Sequence, residues 1–444
     1  MTKENKEIIP LEEQPYAVPK NWQWVKGKKI FKSMETKKPN GKVFYYIDID
    51  SIDNKKQCIT NPKKLKVIDA PSRASRKLHE GDTIFSMVRP YLRNIAYIDA
   101  TLENCIASTG FFVCSPKEKL LPIYFYYLMI SEYVVSNFTK QMKGDNSPSI
   151  RKSDVENFLY PIAPIEEQKR IVECITEQFS KLDKAKERIQ SVLDSSETRK
   201  AAILHKAFTG ELTASWRKEN KQEMFRDNVL FDSCIEKMQN GLSKRKGDEG
   251  EDRIVLRLIN IQDTGIDLSD IRKIKLNKNE QEKYSLQKND SIMIRVNGSK
   301  NNVGKQVLLT ETINNLSFCD HLIRIQYKNN VLPKYMIYFS KTETYKRYVE
   351  KNMVSSAGQN TISRKGLKNL YVPVFTLEEQ REIVRILDDL LTKEQRIVDI
   401  AAATLQRIDT MKQAILAKAF RGELGTNDPS EPPAPLTAKG DLSC

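Results

Sequence analysis

Two short stretches gather side chains able to read a polar surface. Arg89, Tyr91, Arg93 and Asn94 close one of them. Arg295, Asn297, Ser299, Lys300, Asn301, Asn302 and Lys305 fill the other, RVNGSKNNVGK (295–305). Each follows an apolar run that opens on an aspartate: DTIFSMV (82–88) and DSIMIRV (290–296). A guanidinium fork matches the two acceptors on the edge of guanine, and a carboxamide matches adenine. Lysine and serine suit phosphate oxygens. Taken singly, each residue also reads as ordinary turn polarity. Each loop taken whole reads as a contact surface. A second pair of basic, turn-rich segments lies further on: KGDNSPSIRKSD (143–154) and SSAGQNTISRKG (355–366). Lys143, Asn146, Ser147 and Arg151 of the first correspond loosely to Gln359, Asn360, Thr361 and Arg364 of the second. These segments read equally as contact loops or as plain connectors.

Composition agrees with an anionic partner. The 444 residues carry a net charge of +15 and a pI near 9.2. Nucleic acid is the commonest partner for such a chain, with a membrane surface as the rival. The longest apolar run, IYFYYLMI (123–130), has the length of a buried strand or helix segment rather than of a membrane span. The opening MTKENKEIIP lacks the apolar core of a leader. Seven cysteines, an odd number with no C-x-x-C pair, argue against a disulfide framework and fit a reducing cytoplasm. The three histidines, His79, His205 and His321, are far apart in sequence, so no metal site is expected. There is no P-loop, no dinucleotide fingerprint, no H-E-x-x-H and no G-x-S-x-G. The tyrosines Tyr45, Tyr46, Tyr124, Tyr126 and Tyr127 could stack bases, but their apolar neighbours favour core packing.

The elements that must hold these loops repeat. KAFTGEL (206–212) returns as KAFRGEL (418–424), 212 residues later. At the same offset PIEEQKRIV (164–172) meets TLEEQREIV (376–384), and AAILHKAF (201–208) meets QAILAKAF (413–420). Upstream the likeness is fainter: EGDTIFSMVR (80–89) with KNDSIMIRVN (288–297), and LPIYFYYLMIS (121–131) with LPKYMIYFSKT (332–342). A period this long is a tandem duplication of a globular unit plus a helix, not a solenoid.

Residues 166–208 and 377–420 contain no proline or glycine and carry dense charge, so each reads as one long helix of about 60 Å. Heptad seams are expected at Ile171, Ile175, Leu182, Ala185, Ile189, Val192 and Ile203, weakened locally by Ser196 and Arg199. In the second helix they fall at Ile383, Leu387, Leu390, Ile397, Ala401, Ile408, Met411 and Ile415. Thr376 and Glu379 form a capping box, and Gly210 and Gly422 terminate the helices. Pairing the helices with each other about a pseudo-two-fold axis makes them antiparallel. The alternative is that each packs on its own globular unit. The expected fold is α+β, with two mixed α/β recognition units in tandem. The segments are 1–165, a helical spacer 166–215, 216–376, a second spacer 377–425, and a Pro-rich disordered tail 426–444.

With these phrases in place, the chain resembles the specificity (S) subunit of type I restriction-modification systems. The likeness rests on PIAPIEEQKRIV (161–172) with AILHKAFTGELTASWR (202–217), and VPVFTLEEQREIV (372–384) with AILAKAFRGEL (414–424). GDTIF (81–85) and NDSIM (289–293) resemble the strand motif of that family's target-recognition domains. The second copy lacks the TASWR extension. The resemblance implies a non-catalytic subunit, each half reading one part of a bipartite site in double-stranded DNA. The helices would serve as a ruler and as docking faces for two modification subunits. S-adenosylmethionine, ATP and Mg would belong to partner modification and restriction subunits, and no cofactor to this chain. Two further readings stay open: a coiled-coil scaffold that binds nucleic acid without specificity, and a self-contained nuclease or methyltransferase.

Overall fold

The computed structural model describes residues 9–247, 249–263 and 265–434. Residues 1–8, read as no leader, and 435–444, read as a disordered tail, lie outside that range. The chain divides into two units: residues 1–190 with 403–444, and residues 191–402. Each long helix is therefore shared between them, and each unit combines a mixed α/β body with a piece of both helices.

The two bodies are built alike. In the first, Val43–Ile47 lies antiparallel to Lys63–Lys66 and parallel to Ile106–Ser108. In the second, Glu251–Leu256 makes the same choices with Lys273–Leu276 and Leu316–Phe318. A further antiparallel sheet runs Phe111–Cys114, Thr83–Ser86, Ile95–Tyr97 in one. In the other it runs Ile235–Asn240, Leu322–Tyr327, Ser291–Ile294, Gln306–Leu308. A closing pair, Gln23–Lys26 with Leu159–Ile162, recurs as Asp227–Leu230 with Tyr371–Val374.

The shared aspartate belongs to the frame, not to the contact surface. Asp82 Oδ2 accepts from the backbone N–H of His79 at 2.8 Å, and Asp290 Oδ2 from that of Gln287 at 2.8 Å. Both carboxyls are buried and turn the chain into the strand that follows. The run 123–130 is helical, within Pro122–Met129, and Tyr124 is wholly buried there. Its hydroxyl donates to Pro161 O, as Tyr335 donates to Pro373 O in the second unit.

The phrase E-E-Q is structural in both copies. Gln168 accepts from Leu121 N and donates to Ala163 O. Gln380 accepts from Leu332 N and donates to Phe375 O. Each buried carboxamide therefore ties the start of a long helix to the helix packed beside it, and leaving it unpaired would carry the cost of a desolvated polar group.

The first long helix runs Ile165–Asp194 and resumes as Ser196–Thr209; Ser195 between them keeps helical dihedrals. The second runs Leu377–Ala419 without interruption. Within the first unit, Lys186 pairs with Asp409 at 2.8 Å and Lys412 with Asp183 at 2.5 Å. Within the second, Arg199 pairs with Glu394 at 3.1 Å. One number rises as the other falls, so the helix segments in the first unit run antiparallel. The seam differs from the heptad reading at three places. Ile397, Met411 and Val192 are exposed, whereas Ala401 and Ile408 are buried as expected, and Ser196 is buried too. Glu394, Val398, Ala401, Leu405 and Ile408 follow one face at spacings of four, three, four and three. Arg199 does not weaken this seam, because Glu394 neutralises it.

KAF-x-GEL ends each helix on the other unit's side of the duplication. Phe208 stacks edge-on against Phe339 and lies 5.0 Å from Tyr335, while Phe420 lies 5.3 Å from Tyr124. Gly210 and Gly422 take left-handed φ of +84° and +72°. The chain then folds back onto a buried glutamate in the first turn of the other helix. Thr213 Oγ1 donates to Glu379 at 2.5 Å, and Arg217 pairs with the same oxygen. The expected capping box is thus only half formed. Glu379 N donates to Thr376 Oγ1, but the Glu379 carboxylate is taken by Arg217.

Residues 426–434 are not a disordered tail. Asn427 Nδ2 donates to Glu167 at 2.8 Å, and Arg170 forms a two-pronged ion pair with Glu431 at 2.7 and 3.0 Å. Ala434 is buried and its N–H donates to Asn21 O. Proline content misled the sequence reading here, because local composition does not report a partner brought in from the far end of the chain.

Candidate nucleic-acid interface

In each unit the two polar loops singled out in sequence meet. In the first, Val88 and Lys143 both bridge to Ser149, so the segment 143–149 forms a hairpin against the loop after Thr83–Ser86. Arg89 N donates to Pro148 O, and Arg89 Nη2 to Asn146 O at 3.0 Å. In the second, Val354–Ser356 and Gln359–Thr361 form a hairpin whose second strand pairs with Val296–Asn297. Asn360 Nδ2 donates to Gly298 O and Asn297 O, and Asn360 Oδ1 accepts from Ser355. The same construction serves both units: an apolar strand supports a loop, and a hairpin from just before the long helix buttresses it.

The backbone at this junction is unusual. Arg89 sits at φ 49° and Arg93 at φ 56°, both left-handed and neither a glycine. Such residues cost about 1–3 kcal/mol and concentrate at functional positions. Pro90 between them is buried and starts the turn Pro90–Leu92. Tyr91 and Leu92 are pushed outward, with Tyr91 47% exposed. In the second unit the hairpin tip takes the strain instead, with Ala357 at φ 47° beside Gly358.

The structure sorts the candidate residues into two groups. Arg89, Tyr91, Lys143, Asn146 and Arg151 face solvent in the first unit, and Ser299, Lys300, Asn301, Gln359 and Arg364 in the second. Of these, Arg364 also donates to Met238 O at 2.9 Å. The rest work inside the frame. Arg93 pairs with Glu132 and donates to Ile130 O at 3.0 Å, bracing the junction of two helices. Asn94 and Asn360 are buried. Asn297 Oδ1 accepts from Ser299 N and shapes the turn; Asn302 N donates to Ser299 O in the same turn. Arg295 donates to Asp320 O at 3.2 Å, and Lys305 pairs with Asp263 at 2.7 Å.

Sequence reasoning passed over Lys200 and Lys341, which line an open cleft beside the second loop. The signal was present in the repeat itself, since Lys341 falls opposite Ile130 when 121–131 is laid on 332–342. Cys319, Asp320 and His321 bring three metal-ligand atoms within 4.8 Å of one another. Both Asp320 oxygens already accept from Arg245, at 2.8 and 3.2 Å. Among the described residues, no helix is long and apolar enough to cross a membrane.

A chain that builds one loop-and-hairpin surface twice, on like frames joined by long helices, has the design of a two-headed recognition protein. The comparisons agree with that class. Residues 19–194 and 250–402 match the type I restriction modification DNA specificity domain. The specificity subunit of the type I restriction enzyme StySPI from Salmonella potsdam is 30% identical over 333 residues, covering 74% of this chain and 71% of that protein. The EcoKI specificity subunit of Escherichia coli K12 is 30% identical over 282 residues, covering 63% and 61%. Two solved structures share the fold. One is a chain from work on complex assembly and conformational transition of the type I R-M system. It has a TM-score of 0.73 and 24% identity, over 92% of this chain and all of that one. The other is the HsdS subunit of Thermoanaerobacter tengcongensis, with a TM-score of 0.63 and 24% identity over 93% of this chain and all of that one. The chain belongs to the type I restriction-modification DNA specificity family.

Proposed function

We propose that this chain is the sequence-specific DNA-recognition subunit of a type I restriction-modification complex. Each unit reads one half of a bipartite duplex site, and the paired helices set the gap and dock two modification subunits. The observation that carries the reading is the loop-and-hairpin surface built twice from corresponding segments. One such surface would suit any polar ligand. Two on a duplicated frame suit a target with two separated parts, and half-sites one helical turn apart lie about 34 Å from each other. The net charge of +15 supplies the sequence-independent attraction to phosphate on which base reading is superimposed.

In this proposal the chain is not itself catalytic and carries no cofactor. S-adenosylmethionine, ATP and Mg act on modification and restriction subunits. The free cysteines and the absence of a membrane-crossing helix among the described residues are compatible with a cytoplasmic assembly. The test is to co-express the chain with a candidate modification subunit and map methylated adenines in host DNA. A two-part motif with a fixed gap, lost when this chain is omitted, is the expected result. A stable complex that methylates no such motif, or an unbroken motif, would sink the bipartite reading.

A further inference from the structure

The two units are alike in topology but differ sharply at one place. In the first unit, the wedge between the body and the long helices is closed. Ile130 is buried in the main core there, Tyr127 stacks edge-on against Phe179 at 5.7 Å, and Tyr126 donates to Gln57 O across the gap. Lys412, the counterpart of Lys200, is matched by Asp183 and lies 4.8 Å over the Phe179 ring.

In the second unit the corresponding wedge is an open cleft of about 830 Å³. Lys341 stands where the first unit has Ile130, Leu391 where it has Phe179, and Gln395 where it has Asp183. Lys200, the counterpart of Lys412, therefore lacks the carboxylate that balances its twin. Its remaining partner, Glu197, is 84% exposed and weakens little of its charge. Lys341, Lys200 and Lys305 gather round Asp263, which pairs with Lys305; of the other carboxylates lining the cleft, Glu197 pairs with Lys200 and Glu343 with Lys346, and Glu350 is the fourth. Among the described residues Lys341 has no ion-pair partner. Its side chain is exposed at the cleft mouth, and partial desolvation lowers its pKa, with Asp263 opposing and Lys200 and Lys305 adding to the shift. Lys300, from the candidate contact loop, also lines the cleft. An excess of positive charge along one open cleft, in one copy of a duplicated frame, marks a place that an anion completes.

We propose that this cleft binds a phosphate group, with Lys341 and Lys200 as its principal ligands and Lys300 at the edge it shares with the recognition loop. This deepens the DNA-recognition reading and rests on it for the source of the phosphate, the backbone of the duplex. It makes grip on the backbone unequal between the two halves, because the first unit has sealed the equivalent space.

The experiment measures duplex binding by the full chain with its modification partner across 50–200 mM salt, comparing wild type with K200Q/K341Q. Each phosphate contact removed lowers the log–log salt slope by about 0.9, so about threefold less affinity is lost over that range. A shallower slope with unchanged base preference is the expected result, and K341R keeps the wild-type slope. Thermal melts that match wild type show that the variants fold. An unaltered slope in K200Q/K341Q overturns backbone binding in the cleft while leaving the DNA reading intact. A wild-type complex with no salt-dependent duplex binding would instead remove the DNA reading itself. Tripolyphosphate titrated without DNA separates the sources. If it binds wild type but not the variant while the duplex slope stays unchanged, the phosphate chemistry holds and the ligand is a free polyphosphate. If neither slope nor tripolyphosphate binding responds, the cleft is no phosphate site.

Discussion

At the scale of single residues, the candidate interface contains two kinds of arginine that sequence could not separate. Arg89 is exposed and held by one bond to Asn146 O, whereas Arg93 is consumed by Glu132 and Ile130 O. Arg89→Ala is therefore expected to cost about 1–3 kcal/mol of binding to a mapped site and to relax base preference in one half only. Arg93→Ala should instead lower the melting temperature, losing about 1–2 kcal/mol of stability. Titrations against half-site variants, run beside thermal melts, distinguish the two. Asp82 makes a prediction in pH. Burial raises its pKa in the folded chain, against smaller opposing hydrogen bonds. Between the unfolded and the raised folded value, the folded state holds the extra proton. Its stabilising contribution is full below the unfolded pKa and is lost as pH rises through the folded one. Asp82→Asn keeps an acceptor for the His79 N–H without the charge. The melting temperature of wild type relative to this variant should fall between pH 4 and pH 7. A difference that stays flat or rises would contradict the assignment.

At the scale of elements, the segment following each KAF-x-GEL acts as a clasp on the other helix's first turn. The two clasps use different chemistry. Glu379 is 1% exposed and meets a guanidinium, Arg217, which also donates to Gly210 O at 2.6 Å. Glu167 is 0% exposed and meets neutral donors, Trp22 Nε1 at 2.7 Å and Asn427 Nδ2 at 2.8 Å. Its ion pair is displaced one turn along, to Arg170 and Glu431. Arg217→Ala strands a buried carboxylate and should cost about 3–5 kcal/mol. Deleting residues 426–444 removes the Thr426 and Asn427 donors, leaving Trp22 as the side-chain donor to Glu167 among the described residues, and is expected to cost about 1–3 kcal/mol. Denaturation of both variants should rank them in that order. Equal effects would mean that the charge on Arg217 adds nothing to its clasp.

At the scale of the whole molecule, the proposed function makes the gap between half-sites depend on helix length. Inserting the same number of helical turns into both long helices, at facing positions, is expected to widen the methylated motif's gap and leave both half-site sequences unchanged. Mapping methylated adenines after the insertion reads this directly. An altered half-site would refute the ruler.

The duplication, the helices and the recurrent E-E-Q and KAF-x-GEL phrases were legible in sequence because each arises from local rules. Helix periodicity, capping and terminal glycine act over a few residues, and the offset of 212 repeats them in register. The strand runs were legible for the same reason, since alternation and β-branching are local. What only the tertiary structure decided depends on residues far apart in the chain. Ser149 bridging to Val88 turned a connector into half of a surface, and Arg170 reaching Glu431 turned an apparent tail into a clasp. The seam of the long helices also needed the fold. Both Ile397 and Ala401 fit a heptad on paper and, four residues apart, lie on one flank of the helix; Ala401 is buried and Ile397 exposed, and only the position of the packed neighbour sets where that boundary falls.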